Sequence, residues 1–196
     1  MPLARFWKTM EDADLIREMS RGKDRAFREL VQRYQSPLYT YALRFSGVKE
    51  EAEDTVQETF LRLYANRHKL DASKSLKAYL FRICRNLLID ATRKKRFTGQ
   101  EPSAQADPSP SPDERIHKKE WQAILMRAIE TLPENQRTAI LLRHTQELSY
   151  AEISEVMGLS VSAVESLLVR GRKSLKACLS KKASLSRRVT AGRNHS

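Results

Sequence analysis

Ser162, Glu165, Ser166, Val169, Arg170 and Lys173 place hydroxyls, a carboxylate, a branched apolar group and cations on one side of a helix near the C-terminus. That mixture suits the reading of nucleic acid. At about 100° per residue these side chains point away from Val164, Leu167, Leu168 and Leu175, the inner face of the same helix. Early positions of a recognition helix reach base edges and later ones meet phosphates. Ser162, Glu165 and Ser166 are therefore the candidate base readers; Glu165 suits the N4 donor of cytosine and Val169 the methyl of thymine. Arg170, Arg172, Lys173 and Lys176 are candidate backbone clamps. No Asp or Glu follows Glu165, whereas nine Lys and Arg do. So one-sided a distribution favours a polyanionic partner over a merely solvated basic face.

Two further faces carry recognition chemistry. Along 76–95, Tyr79, Arg82, Asn86 and Arg93 share a stripe, followed by Lys94, Lys95 and Arg96. An aromatic ring, an amide and cations on one stripe suit splayed single-stranded bases and their phosphates; a basic helix end that only complements the macrodipole is the alternative. On 48–66, Glu50, Asp54, Gln57 and Glu58 lie opposite an apolar stripe, with Leu61 among them. A leucine rimmed by acids marks a protein contact, against the plainer reading of a solvated helix face. Catalysis finds no constellation: there are neither clustered carboxylates for a metal nor a nucleophile–base pair, so no enzyme is expected. His68, His117, His144 and His195 share no ligand spacing, and Cys84 and Cys178 cannot build a disulfide framework or a Cys-rich zinc site. No metal, cofactor or small-molecule substrate is expected.

The elements that position these faces read as helices. In 196 residues with 31% charged and 40% apolar side chains there is room for one full domain or two small ones. A formal charge of +12 again points to a polyanion, nucleic acid before anionic lipid. Apolar runs are too short to span a bilayer and Met1 to Asp14 holds no signal-peptide core, so a cytoplasmic, reduced location with no membrane insertion is expected. Asp24 is placed to cap a helix carrying Phe27, Leu30, Val31 and Tyr34, with a restart at Ser36-Pro37 and a stop at Gly47. Val48, Ala52, Val56, Phe60, Leu63 and Tyr64 give 48–66 its apolar stripe. The helix at 76–95, preceded by Ser75, is expected to bury Leu76, Leu80, Ile83, Cys84, Leu87 and Ala91.

Helices over 118–130 and 134–145, the second opened by Pro133, lead to a helix-turn-helix. Ile153 with Val156 or Met157 lines a helix at 150–157. Gly158 stops it, Leu159 is buried in the turn, and Ser160 caps a helix at 161–179. Gly171 inside that last helix costs about 1 kcal/mol of propensity. Between the halves, Gly99 to Glu114 has no Lys or Arg, four acids and four prolines, which favours an extended linker, passive or otherwise. The fold class is all-α: a helical domain over 12–97, a flexible linker over 98–117, a helix-turn-helix domain over 118–180 and a basic, disordered tail over 181–196.

These pieces, in this order, resemble a bacterial RNA polymerase sigma factor of the extracytoplasmic-function (ECF) type. Ala52 through Leu63 is similar to that family's polymerase-docking helix, Tyr79 through Arg93 to its promoter-melting helix, and Leu132 through Arg172 to its −35-binding domain. The resemblance implies a core RNA polymerase partner, with Asp54, Gln57, Glu58 and Leu61 on the clamp helices of the β′ subunit and further contact with β. It also implies promoter DNA as ligand. The loop His68–Lys74 would catch a flipped −10 base, Tyr79, Arg82, Asn86 and Arg93 would support the melted strand, and Ser162, Glu165, Ser166, Val169, Arg170 and Lys173 would face the −35 element. It implies an anti-sigma factor as negative regulator. Tyr79 stands where the family often carries Trp, and Glu165 and Leu167 stand where many members carry Lys and Arg. At up to ~3.5 Å per residue the linker reaches about 70 Å, enough to hold both elements at once. The alternative is a conventional helix-turn-helix regulator that binds its operator without polymerase.

Overall fold

The computed structural model describes residues 7–98 and 123–192, with side chains as far as Ser180. Most of the expected linker, the first residues of the helix expected at 118–130, and residues 193–196 lie outside these. All the regular elements among the described residues are helical.

Helix α1 (Asp12–Ser20) carries Asp12 and Asp14 in its first turn, where acids complement the helix dipole, and buries Leu15, Ile16 and Met19. Arg33 fastens it to the next helix, donating to Asp12 Oδ1 (2.5 Å) and Met10 O (3.0 Å), while Tyr34 donates to the other Asp12 oxygen. Helix α2 runs unbroken over Asp24–Ser46 and contains Pro37. The expected restart at Ser36-Pro37 does not occur. An interior proline costs about 3 kcal/mol, but Leu30 and Tyr34 before it and Leu38, Tyr41 and Phe45 after it continue one buried face. Each large side chain so buried contributes about 1.5–3 kcal/mol, and the sum outweighs the missing N–H. Asp24 is the first helical residue and not a side-chain cap; it accepts a hydrogen bond from the Tyr64 hydroxyl (3.3 Å). The helix ends at Gly47, as expected.

Helix α3 (Lys49–Ala65) buries Ala52, Val56, Phe60 and Leu63 as the spacing predicts. A single 3-10 turn, Arg67–Lys69, leads to helix α4 (Leu76–Thr98), whose start is capped by Ser75 Oγ accepting the Ala78 N–H (3.1 Å). Its buried set is Leu76, Ala78, Leu80, Phe81, Cys84, Leu88 and Ile89, while Ile83, Leu87 and Ala91 are only half-buried. The buried arc is thus wider than expected and turned around the axis. The reason is tertiary: α2 and α3 cover one side, and the C-terminal half covers another.

That half comprises α5 (123–130), α6 (Glu134–Thr145), α7 (Tyr150–Met157) and α8 (Val161–Gly192). Ala139, Leu141, Leu142, Leu148, Ile153, Val164 and Leu168 form its centre. The last helix overruns its expected end at 179: residues 181–192, read as a disordered tail, continue it as helical backbone. Leu159, expected in the core, is 38% exposed, because Val156, Met157 and Val164 already close the space beneath the turn. The buried residues of both halves join in one cluster. Polar contacts edge the seam: Gln146 Nε2 donates to Pro37 O (3.1 Å), Lys77 Nζ to Gln146 O (3.1 Å), and Arg85 Nη2 to Asn135 Oδ1 (2.9 Å).

Candidate functional site

The helix-turn-helix is assembled by local rules. Ser149 and Glu152 form a reciprocal cap on α7: the Glu152 N–H donates to Ser149 Oγ (3.2 Å) and the Ser149 N–H to Glu152 Oε2 (2.7 Å). The Ser149-x-x-Glu152 spacing is the sequence signal of this cap. Gly158 closes α7 at φ +64°, a left-handed conformation that side chains disfavour. Ser160 Oγ accepts the Ala163 N–H (3.2 Å), as expected of a cap on α8. These termini aim the recognition helix outward, and Ser162, Glu165, Ser166, Val169, Arg170 and Lys173 are all exposed, Val169 by 62%.

The cap makes stability depend on pH. Hydrogen bonds from the Ser149 backbone, then from its hydroxyl, hold the Glu152 carboxyl below the usual carboxylate range. A carboxyl depressed in the folded state contributes stability above its unfolded value, and that contribution fades as pH falls through the lower folded value. Glu152→Gln is expected to flatten the acid limb of the stability curve below about pH 5. Ser149→Ala is expected to cost about 1 kcal/mol, near the lower part of the capping range because the site is solvated. Urea midpoints measured across that pH range check both.

Gly171 has a different explanation from the one its propensity suggests. It is buried where α8 crosses α6, and a Cβ there would stand 2.9 Å from Ile140 Cγ1 and 3.3 Å from its Cδ1. Gly171→Ala would gain about 1 kcal/mol in helix propensity and lose about 1–3 kcal/mol to overpacking against a branched side chain. A net loss of roughly 1 kcal/mol is expected; Ile140→Val removes only Cδ1 and keeps the γ carbon that the new methyl meets first, so the double variant is expected to recover little of it. Thermal denaturation of the single and double variants decides it.

The second face lies on α4. Arg93 and Asn86 are exposed, but Tyr79 is half-buried against the core. Arg82 is committed elsewhere, its Nε and Nη2 both donating to Glu155 O of α7 (3.1 and 2.6 Å). Arg82 nonetheless remains exposed, so Arg82, Asn86 and Arg93 lie open on this stripe and only Tyr79 is withdrawn from it. In the preceding loop, His68, Lys69, Asp71, Ser73 and Lys74 are exposed. Asp71 Oδ1 accepts from both the hydroxyl (2.6 Å) and the N–H (3.0 Å) of Ser73, which shapes the loop and lowers the carboxyl's pKa.

The third face is on α3. Asp54, Gln57 and Leu61 are exposed, Leu61 by 57%, and Glu58 is half-buried and paired with Arg62 (2.7 Å). Beside Leu61 a groove of about 380 Å³ is lined by Phe27, Val31 and Tyr39 of α2 and by Gln57 and Phe60 of α3. The α2 contribution was not legible in the sequence, because those residues lie some twenty or more positions upstream and meet Leu61 only in the folded bundle. Among the described residues no cluster of three or more His, Cys, Asp or Glu is gathered to hold a metal, and no helix is long and apolar enough to cross a membrane.

Helices among all the described regular elements, an exposed cationic face in a helix-turn-helix and a separate acidic face around an exposed leucine fit the class of DNA-binding proteins that work with a protein partner. Residues 30–98 match the Sigma-70 region 2 family and residues 122–175 the Sigma-70, region 4 family. The chain is 31% identical over 173 residues to the ECF RNA polymerase sigma factor SigW of Bacillus subtilis, covering 82% of this chain and 92% of that protein. It belongs to the ECF RNA polymerase sigma factors, a family of initiation factors and not a class of catalysts. Among solved structures, CnrH in complex with the cytosolic domain of CnrY is similar at a TM-score of 0.70 and 28% identity, over 87% of this chain and 97% of that one. The sigma factor RpoE in complex with the anti-sigma factor NepR, from Bartonella quintana, is similar at 0.65 and 25% identity, over 79% and 96%.

Proposed function

We propose that this chain seats on core RNA polymerase through the α3 face and directs it to promoters by reading two DNA elements. Asp54, Gln57, Glu58 and Leu61, with the groove beside them, dock on the β′ clamp helices. Tyr79, Arg82, Asn86 and Arg93, with the loop before α4, support the melted −10 strand, and Ser162, Glu165, Ser166, Val169, Arg170 and Lys173 face the −35 duplex. Residues 12–97 and 118–180 divide these tasks. Extruding a base costs a few kcal/mol, which polymerase contacts help offset. The protein works in the cytoplasm. An anti-sigma factor holds it inactive, a reading supported by the Bartonella quintana relative, whose solved structure is a complex with one.

The observation that carries this reading is the pairing of an exposed leucine in an acidic face with an exposed cationic recognition helix, on a chain of this family. Reconstitution tests it: core polymerase supplemented with this chain is expected to form open complexes and start transcripts at a −35/−10 promoter, and neither component does so alone. Operator binding by the free chain as a dimer, with no transcription from added polymerase, would favour a conventional regulator instead.

A further inference from the structure

The groove beside Leu61 carries opposite charge at its two ends. Helices α2 and α3 are antiparallel, joined only through Gly47 and Val48. The start of α2 therefore meets the end of α3: the Phe27 and Tyr64 rings lie 4.9 Å apart, and the Tyr64 hydroxyl donates to Asp24 Oδ1. At that end Arg25 and Arg28 are exposed, about one turn apart on α2, and they share a hollow of about 410 Å³ with Lys8, Glu29 and Gln32. Glu29 offsets one of these three cations. Around the α2 axis Arg28 stands about 60° from Val31 and about 20° from Gln35, and both of those line the groove, so Arg28 forms part of its rim. At the other end the start of α3 supplies Glu50, Glu53 and Asp54, all exposed, with Glu53 itself in the groove wall. Lys49 lies 3.8 Å from Glu53. Among the described residues Asp54, Arg25 and Arg28 are in no ion pair. Between the ends the lining is apolar, with Phe27 and Val31 from α2 and Val56 and Phe60 from α3. Phe27, Val31, Gln35 and Tyr39 follow it at intervals of four, about 18 Å in all. That is about three helical turns, the span over which an amphipathic helix presents apolar anchors to a groove.

We infer that the groove takes a bipolar helix of the polymerase, with carboxylates over Arg25 and Arg28, an apolar side chain against Leu61 and cations over Glu53 and Asp54. Arg25 and Arg28 are thus docking residues that lie outside the acidic face of α3. The inference rests on the reading of α3 as the polymerase-docking face. Charge complementarity decides the occupant. A nucleic-acid strand laid here would meet carboxylates at one end, and a uniformly basic helix would meet arginines at the other. A helix about 10 Å across, seated between two axes about 8–10 Å apart, overhangs both rims and can avoid neither set. The same polarity fixes direction. Turned end for end, the partner helix would set like charges against each other at both ends, and such juxtapositions suppress the wrong seating. Leu61 and the apolar lining supply contact area without a preferred direction; the charged ends supply the register.

The test uses the full chain and core RNA polymerase, with unlabelled variants competing against the labelled wild-type chain. Arg25→Glu combined with Arg28→Glu is expected to weaken binding about tenfold, as Asp54→Lys does at the other end. The sign is decisive: were the docking surface of the polymerase basic throughout, the two arginine changes would tighten binding. Association rates give a second readout. Arg25→Gln combined with Arg28→Gln is expected to slow association and make it less dependent on salt, whereas against a basic surface it would speed association and steepen that dependence. Both arginines are exposed, so the neutral changes keep the fold and serve where charge reversal disturbs it; unchanged melting temperatures check this. Arg17→Gln combined with Arg21→Gln removes the same charge from exposed positions on α1, a helix that does not line the groove. Its effect is expected to stay below about threefold, and it corrects for the change in net charge. Affinities for −35 duplex and for a single-stranded −10 oligonucleotide are expected to be unchanged in the Arg25 and Arg28 variants. Tighter or unchanged polymerase binding overturns the inference. So does a loss of oligonucleotide binding with polymerase binding intact, which would assign the arginines to nucleic acid. The wild-type chain separates the two failures: if it does not bind polymerase, the docking reading itself is wrong, and if it binds and Asp54→Lys weakens it while the arginine changes do not, only the bipolar partner is wrong.

Discussion

Arg137→Ala is expected to destabilise the folded chain by roughly 3 kcal/mol, as hydrogen bonds to a charged group contribute about 1.5–3 kcal/mol and orphaned buried carbonyls add to the loss. Its guanidinium donates to Glu130 O and to Leu132 O (3.4 Å), at and just beyond the end of α5, and to Phe45 O on α2 (3.0 Å). The last carbonyls of a helix have no partner within it; here a cation supplies one and also complements the negative end of the dipole. Burial pulls the arginine pKa down, with Glu130 countering it, yet a guanidinium so placed stays charged at any working pH. Lysine cannot present the same fork, so Arg137→Lys is expected to recover less than half of the loss. Urea unfolding monitored by circular dichroism measures both. A loss below about 1 kcal/mol for Arg137→Ala would mean that water replaces the guanidinium at all three carbonyls.

The second large effect concerns polymerase docking. Leu61→Ala is expected to weaken binding to core polymerase about tenfold. Fully burying a leucine contributes about 1.5–3 kcal/mol, Leu61 starts 57% exposed beside an apolar groove, and each 1.4 kcal/mol is a factor of ten in affinity. Asp54→Ala is expected to act differently. An exposed carboxylate at a docking face would steer and register the complex, so its loss is expected to slow association and reduce the dependence of the rate on salt. Neither change is expected to alter the affinity of the chain for −35 duplex DNA, because α3 and the recognition helix α8 lie in different halves. Titration of labelled variants with core polymerase, beside gel shifts on duplex DNA, checks both arms. A joint loss of polymerase and duplex binding would contradict the division of labour.

Much of this molecule is legible in its residues. The stripes on α3 and α8, the stops at Gly47 and Gly158, and the caps at Ser75 and Ser160 follow from spacing and local hydrogen bonding, which the chain carries wherever it folds. So does the exposure of Asp54, Leu61, Ser162 and Val169, since a helix that buries one side must present the other. The Ser149-x-x-Glu152 cap is equally local. The errors are of another kind. Ser36-Pro37 suggests a restart because proline suits a first helical turn, whereas the burial that carries one helix through it comes from helices far along the chain. Gly171 is only a propensity cost within its own helix, whereas the need for glycine lies in Ile140 of another.

The sequence by itself determined that the chain is helical and strongly cationic and which side of each helix faces outward, because charge is read from composition and helical faces reside in neighbours three or four residues apart. Only the tertiary structure decided how the halves meet. Arg82 has the same charge and the same helical angle in either case; that the carbonyl of Glu155 lies within its reach at the surface depends on which apolar faces exclude water together, a choice made by area contributed from both ends of the chain at once.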